Sequence, residues 1–150
     1  MKKIILPVRF GLVTSAVLIA YFLVLAMFNQ HTNPVYSFLN AGITAFGIYE
    51  AIRVFKLEQG DLFNYTSGFS AGLLTGATAT VVFTVFFLFY STEINQDFLP
   101  QLLTSLNVTF DINNGLLTFI VGIMGLVSTV VATLTIMQLF KNSRNMSQKK

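Results

Sequence analysis

Few residues in this chain could take part in acid–base, metal or nucleophilic chemistry. It has one histidine, no cysteine and six carboxylates. Without Cys there are no disulfides, thiolate metal sites or cysteine nucleophiles. His31 lies in Asn29-Gln30-His31-Thr32-Asn33-Pro34, beside no carboxylate, so a solvent-exposed loop histidine is expected rather than a metal ligand. Glu50 and Arg53 are opposite charges three residues apart. At that spacing they share one helical face and are expected to pair, with the arginine head extending towards an interface. An acid in an apolar segment would also suit an ion or proton route. No ionisable residue occupies the middle of any apolar run, however, and a proton relay would need one. There is no Gly-rich phosphate loop followed by Lys, no nucleophile elbow and no H-E-x-x-H. No cofactor or metal is expected, and no acid, base and nucleophile converge as an enzyme would require.

The more specific pattern consists of small residues. Gly68, Gly72 and Gly76 recur every fourth residue and continue at that spacing as Thr80 and Thr84. Residues four apart lie on one helical face, so this stripe would let another backbone approach closely. Glycine costs helix propensity, which makes three on one stripe more telling than three scattered. Gly122, Gly125, Thr129, Ala132 and Thr133 form a similar, less regular set; Gly11 with Ser15 and Gly42 with Ala45 are shorter ones. Packing within the chain, self-association and a Gly/Thr-lined pore would all use such faces. Threonines in helices also return hydrogen bonds to their own i−4 carbonyls, so they do not imply a catalytic Thr.

These residues sit in elements that the composition places in lipid. The 150 residues are 54% hydrophobic and 10% charged, with a mean hydropathy of +0.71. A soluble domain would carry roughly a quarter charged residues. Four apolar runs stand out, at about residues 10–28, 35–55, 65–90 and 115–140. About 20 apolar residues cross a hydrocarbon core, where the backbone must satisfy its own hydrogen bonds as helix. The sequence therefore predicts an all-α membrane protein: one domain, residues 1–150, forming a bundle of four transmembrane helices.

The second run is the weakest, because Glu50 and Arg53 lie near its end. With four spans and a cytoplasmic N-terminus, Lys2, Lys3, Arg9, Arg53, Lys56, Lys141, Arg144, Lys149 and Lys150 all fall inside. Those are all nine basic residues. Three spans would put six of them outside, against the positive-inside bias. Both termini are thus expected in the cytoplasm. Met1-Lys2-Lys3 resembles the start of a signal peptide, but the apolar run is long and no A-x-A-like site follows it, so a retained helix is expected.

Between the last two spans, Asp97 is placed to cap a short helix with Pro100 in its first turn. Phe98, Leu99, Leu102, Leu103 and Leu106 would share a face. That face suits a helix on the outer leaflet, a lid across the mouth of the bundle, or a docking surface. Asn113-Asn114-Gly115 supplies a turn into the fourth span. Asn107-Val108-Thr109 matches a glycosylation sequon, and the tail from Lys141 could touch anionic lipid.

Gly47-Ile48-Tyr49-Glu50-Ala51-Ile52-Arg53, then Gly60-Asp61-Leu62-Phe63, Tyr65…Gly68-Phe69…Gly72-Leu73 and Asn95-Gln96-Asp97-Phe98 resemble the small bacterial membrane proteins of the DUF4199 family, found mainly in Bacteroidetes. The resemblance implies a four-helix inner-membrane protein and assigns no functional residues. The expected function is a non-enzymatic structural or accessory membrane subunit acting through helix contacts. The alternative is an oligomeric channel or small-solute transporter. The expected partners are the lipid bilayer and a homo-oligomer or larger membrane complex, with no nucleic acid.

Overall fold

The structure, a computed structural model, describes residues 2–32, 34–107 and 112–140. Val108 and Thr109 of the sequon, Asp111, and the cationic tail Lys141, Arg144, Lys149 and Lys150 lie outside the described residues. Four long helices are present: α1 (Lys2–Met27), α2 (Pro34–Gln59), α3 (Tyr65–Phe89) and α5 (Asn114–Leu139), with a short α4 (Phe98–Ser105) before the last. No strand occurs among the described residues. The first helix begins well ahead of its apolar run, because Lys and Arg are good helix formers.

The helix ends follow from local chemistry. After α1, Asn29 adopts a left-handed conformation (φ 54°). Gln30 N–H donates to the Leu25 carbonyl and Asn29 N–H to that of Ala26, the paired bonds of a Schellman stop. Gly60 (φ 51°) breaks the chain after α2. Asn64 opens α3 by accepting from Ser67 N–H at 2.8 Å, while the Ser67 hydroxyl accepts from Asn64 N–H at 3.2 Å. Asn113 caps α5 by accepting from Leu116 N–H at 2.7 Å. Asp97 precedes α4 but does not cap it with its side chain. Its backbone is helical (φ −84°, ψ −4°) rather than extended, so the carboxylate cannot turn back onto the first N–H groups.

Beyond α3, one wide turn carries Asn95 N–H back to the Tyr90 carbonyl, five residues away. That leaves the Ser91 carbonyl without its usual helical donor, and Asn114 Nδ2 supplies one at 3.2 Å. The start of α5 is thereby tied to the end of α3.

α3 packs against each of the other three long helices. The molecule has two ends, named here for His31 and Lys56. At the His31 end, Phe22, Phe87, Tyr90, Phe98 and Leu117 form one apolar cluster. Phe98 is 2% exposed, and Leu99 and Leu102 pack against the same cluster. α4 is thus a lid over the helix ends, fastened further by the Ser105 hydroxyl donating to the Thr32 carbonyl at 3.2 Å. At the Lys56 end, Ile48 and Ile52 of α2 close on Ile136 and Met137 of α5.

Three helical segments, Ile4–Met27, Tyr65–Ile94 and Asn114–Leu139, are long and apolar enough to cross a membrane. α2 has the length but not the composition, since Ser37, Asn40, Gly42, Thr44, Gly47, Glu50 and Arg53 dilute its apolar residues.

Candidate functional site: a glycine–threonine seam and the cavity above it

The glycine stripe of α3 lies against α5. The two helices run antiparallel, and small residues face hydroxyls in register. A Cβ on Gly72 would come within 2.6 Å of the Thr133 methyl, and one on Gly76 would collide with Thr129. One turn further the roles exchange. A Cβ on Gly125 would meet the Thr80 methyl at 2.6 Å, and Gly122 faces Thr84 at an ordinary 3.5 Å. Each glycine is the recess into which a threonine of the opposite helix fits, first on α3 and then on α5. Gly68 begins the stripe under the Phe63 ring and the Met137 methyl.

The other helices repeat the device. Gly47 of α2 receives Thr14 of α1, and Gly11 of α1 receives Thr78 of α3 and approaches the Thr75 carbonyl. Thr75 Oγ1 lies 3.1 Å from the Pro7 carbonyl and 2.9 Å from its own Ala71 carbonyl, so its single O–H is shared between α1 and α3. Gly42 faces open space.

Glu50 and Arg53 sit on α2 towards the Lys56 end. Arg53 Nη1 donates to both Glu50 oxygens at 3.2 Å, with Arg53 the more exposed partner. The next basic residue along, Lys56, holds its ammonium 5.6 Å from the Phe63 ring and 5.6 Å from that of Phe140, pinning the end of α5 to the α2–α3 connection. The seam and the ion pair do not meet in one site.

A cavity of about 270 Å³ lies at the His31 end, above the contact of α2 with α5. Phe22, Phe83, Phe87, Phe98, Leu117 and Val121 give it apolar walls. Ser37 and Ala41 of α2 face Met124 and Ser128 of α5 across its side, and all four are exposed, so the opening lies between these two helices.

The polar atoms of this cavity were not expected from sequence. His31 is not a free loop histidine. Its ring stacks on Phe98 at 5.2 Å and meets Phe22 and Tyr90 edge-on, and both ring nitrogens are buried without a hydrogen-bond partner. Burial lowers its pKa, keeping the imidazole neutral near pH 7. The lid α4 and the Schellman stop fold the loop inward over the aromatic cluster, where the expected exposure of His31 is lost. Asn40 and Thr84 also line the cavity, and their Oδ1 and Oγ1 atoms are likewise buried and unpartnered, Thr84 lying against Gly122 of the seam. These three come from a loop and two helices, and no spacing in the sequence connects them.

Three apolar helices of spanning length mark a helical, membrane-embedded protein. More narrowly, the chain belongs to the family described as protein of unknown function DUF4199, whose profile matches residues 9–114. The matched region runs from α1 to the first residue of α5. No curated protein and no solved structure matches the chain.

Proposed function

We propose that this is a four-span, non-enzymatic accessory protein of the cytoplasmic membrane, with the Lys56 end inside, that works by holding a small lipid-soluble molecule. The observation that supports this is the cavity of about 270 Å³ opening between α2 and α5, whose walls are mostly apolar. An apolar pocket with a few polar side chains on its wall is the usual form of a small-molecule site. The glycine stripe is filled by threonines of the same chain, so contacts with a homo-oligomer or a larger membrane complex would use other faces. Purification from native membrane, followed by mass spectrometry of bound small molecules and proteins, tests the proposal. The wild-type chain should retain a lipid-soluble molecule that Ser128→Phe, at the cavity mouth, does not. Equal retention by both, or by neither, would count against it.

A second reading, transport of a small solute, would need the laterally open cavity to connect with the two faces, which α4 covers at the His31 end and Ile48, Ile52, Ile136 and Met137 close at the Lys56 end. Solute flux in liposomes that Ser128→Phe abolishes would favour it.

A further inference from the structure

The contact between α4 and the loop that joins α1 to α2 encloses a polar ring that the fold leaves unserved. Both ring nitrogens of His31 are closed to solvent and have no hydrogen-bond partner. The ring lies on Phe98 of α4, with centroids 5.2 Å apart and planes 26° from parallel. Phe22 of α1 and Tyr90 meet it edge-on at 5.8 and 6.1 Å. A phenyl ring would fill the same space with no polar atom to strand, so packing alone does not account for an imidazole here.

Its surroundings are uncharged. The titratable side chain that touches it is the Tyr90 phenol, and Tyr36 of α2 lines the same cavity. Among the described residues no carboxylate pairs with His31, and the one ion pair, Glu50 with Arg53, is on α2 towards the other end. Glu93 and Asp97, near Tyr90 and Phe98 along the chain, are exposed. A proton on His31 would therefore place a cation among aromatic rings. Their faces attract a cation, but an imidazolium has two N–H groups to satisfy, and the site offers no acceptor. Burial accordingly lowers the pKa of the enclosed ring. The proton is taken up readily only when the ring reaches water.

α4 is also the helix most easily parted from the rest. It packs far less closely against the long helices than they pack against one another. Its apolar hold consists of Phe98, Leu99 and Leu102. Its tie to the loop is weak: Ser105 Oγ lies 3.2 Å from the Thr32 carbonyl but 2.8 Å from its own Leu102 carbonyl, so one O–H is shared. His31 and Thr32 are adjacent, so separating the loop from the lid breaks both contacts together, whichever of the two moves. We propose that this contact is an acid-released latch: protonation of His31 parts α4 from the loop and opens the cavity to the His31 face. His31, Phe98 and Leu102 all line the cavity, and they are the part of its wall that is lost. The latch concerns this wall and not the contents, so it goes beyond the ligand-holding reading and does not depend on it.

Hydrogen exchange, followed by mass spectrometry on the full chain in nanodiscs at pH 7.5 and 5.5, tests the latch. Each amide rate is divided by its intrinsic rate at that pH. Amides of Phe98–Ser105 should be less protected than those of α3 at both pH values, marking an opening short of global unfolding. The closed form binds the proton less readily than the open one. Closure is thus fully favoured above the ordinary pKa of 6.5 and loses ground as pH falls through it. Protection across α4 should drop by up to about tenfold between the two pH values. His31→Phe removes the titration and keeps a ring against Phe98, and its α4 should be as protected at pH 5.5 as at pH 7.5. His31→Leu makes the same comparison with a smaller side chain. Glu93→Gln and Asp97→Asn should leave the drop in place. An unchanged wild-type protection, a drop that persists in either His31 variant, or one that vanishes with Glu93→Gln or Asp97→Asn would overturn the latch. So would α4 amides as protected as those of α3, because the response would then belong to the whole fold.

Discussion

The imidazole of His31, stacked on Phe98 and ringed by Phe22 and Tyr90, titrates in a setting that disfavours its charged form. Its folded-state pKa lies below the ordinary 6.5. The unfolded chain therefore binds the proton more readily, and stability rises with pH through this interval. The contribution is complete above pH 6.5. It falls as pH drops through that value and levels off once the folded form is also protonated. Thermal unfolding between pH 7.5 and 5.5 should show this decline in wild type and a flatter curve in His31→Phe. At the other end of the molecule, Arg53 is largely exposed, so the Glu50–Arg53 pair should matter little. Reversing either charge should cost about 0.2–0.5 kcal/mol in detergent, and reversing both should restore most of it. A cost of several kcal/mol would mean that the pair holds more than its own helix turn.

At the scale of elements, the α3–α5 seam makes Gly76 of α3 and Gly42 of α2 unequal. Gly76→Ala places a methyl against Thr129 and should cost about 1–3 kcal/mol by overpacking. Adding Thr129→Ala should recover part of that loss, giving a positive coupling in a double-mutant cycle. Gly42→Ala adds a methyl to open space and should be neutral or stabilising by up to about 1 kcal/mol, through helix propensity alone. Equal effects at both positions would show that the seam is not a contact. Removing the α3 cap with Asn64→Ala should cost about 1 kcal/mol. Much of this level is legible in sequence: Gly68, Gly72 and Gly76 mark a close approach because nothing else explains three poor helix formers on one face. Their partners are not legible, because Thr129 and Thr133 become complementary to Gly76 and Gly72 only once the antiparallel register is set. The cavity is further out of reach. His31, Asn40 and Thr84 converge through the packing of α1, α2 and α3 and the closure of α4, which no local pattern encodes.

For the whole molecule, the apolar runs locate the four long helices closely, since lipid-compatible composition and helix length are both properties of the chain itself. Sidedness is a prediction. Cysteines at Gln30 and Gln96, both exposed near the His31 end, should react with an impermeant thiol reagent added to intact cells. One at Asp61, exposed at the Lys56 end, should react only after the membrane is opened. The clustering of basic residues motivates this orientation. Labelling of Asp61 from outside would place both ends of α2 on one side and remove the four-span topology.

The modest apolar content of α2 bears on how the chain reaches its final state during synthesis. On the four-span topology, this helix partitions into lipid less readily than its neighbours, and its buried face (Ile48, Ala51, Ile52, Phe55) meets protein rather than acyl chains. α1 is already available when α2 emerges, with Thr14 ready to fill the recess at Gly47, while α3 and α5 come later. Insertion of α2 should thus depend on α1 being present, and its retention on α3. In a translocon reporter assay, α2 alone should insert poorly, α1–α2 better, and α1–α3 nearly completely. The glycine at position 47 would then govern biogenesis as well as packing: Gly47→Leu should leave nascent chains with α2 outside the bilayer.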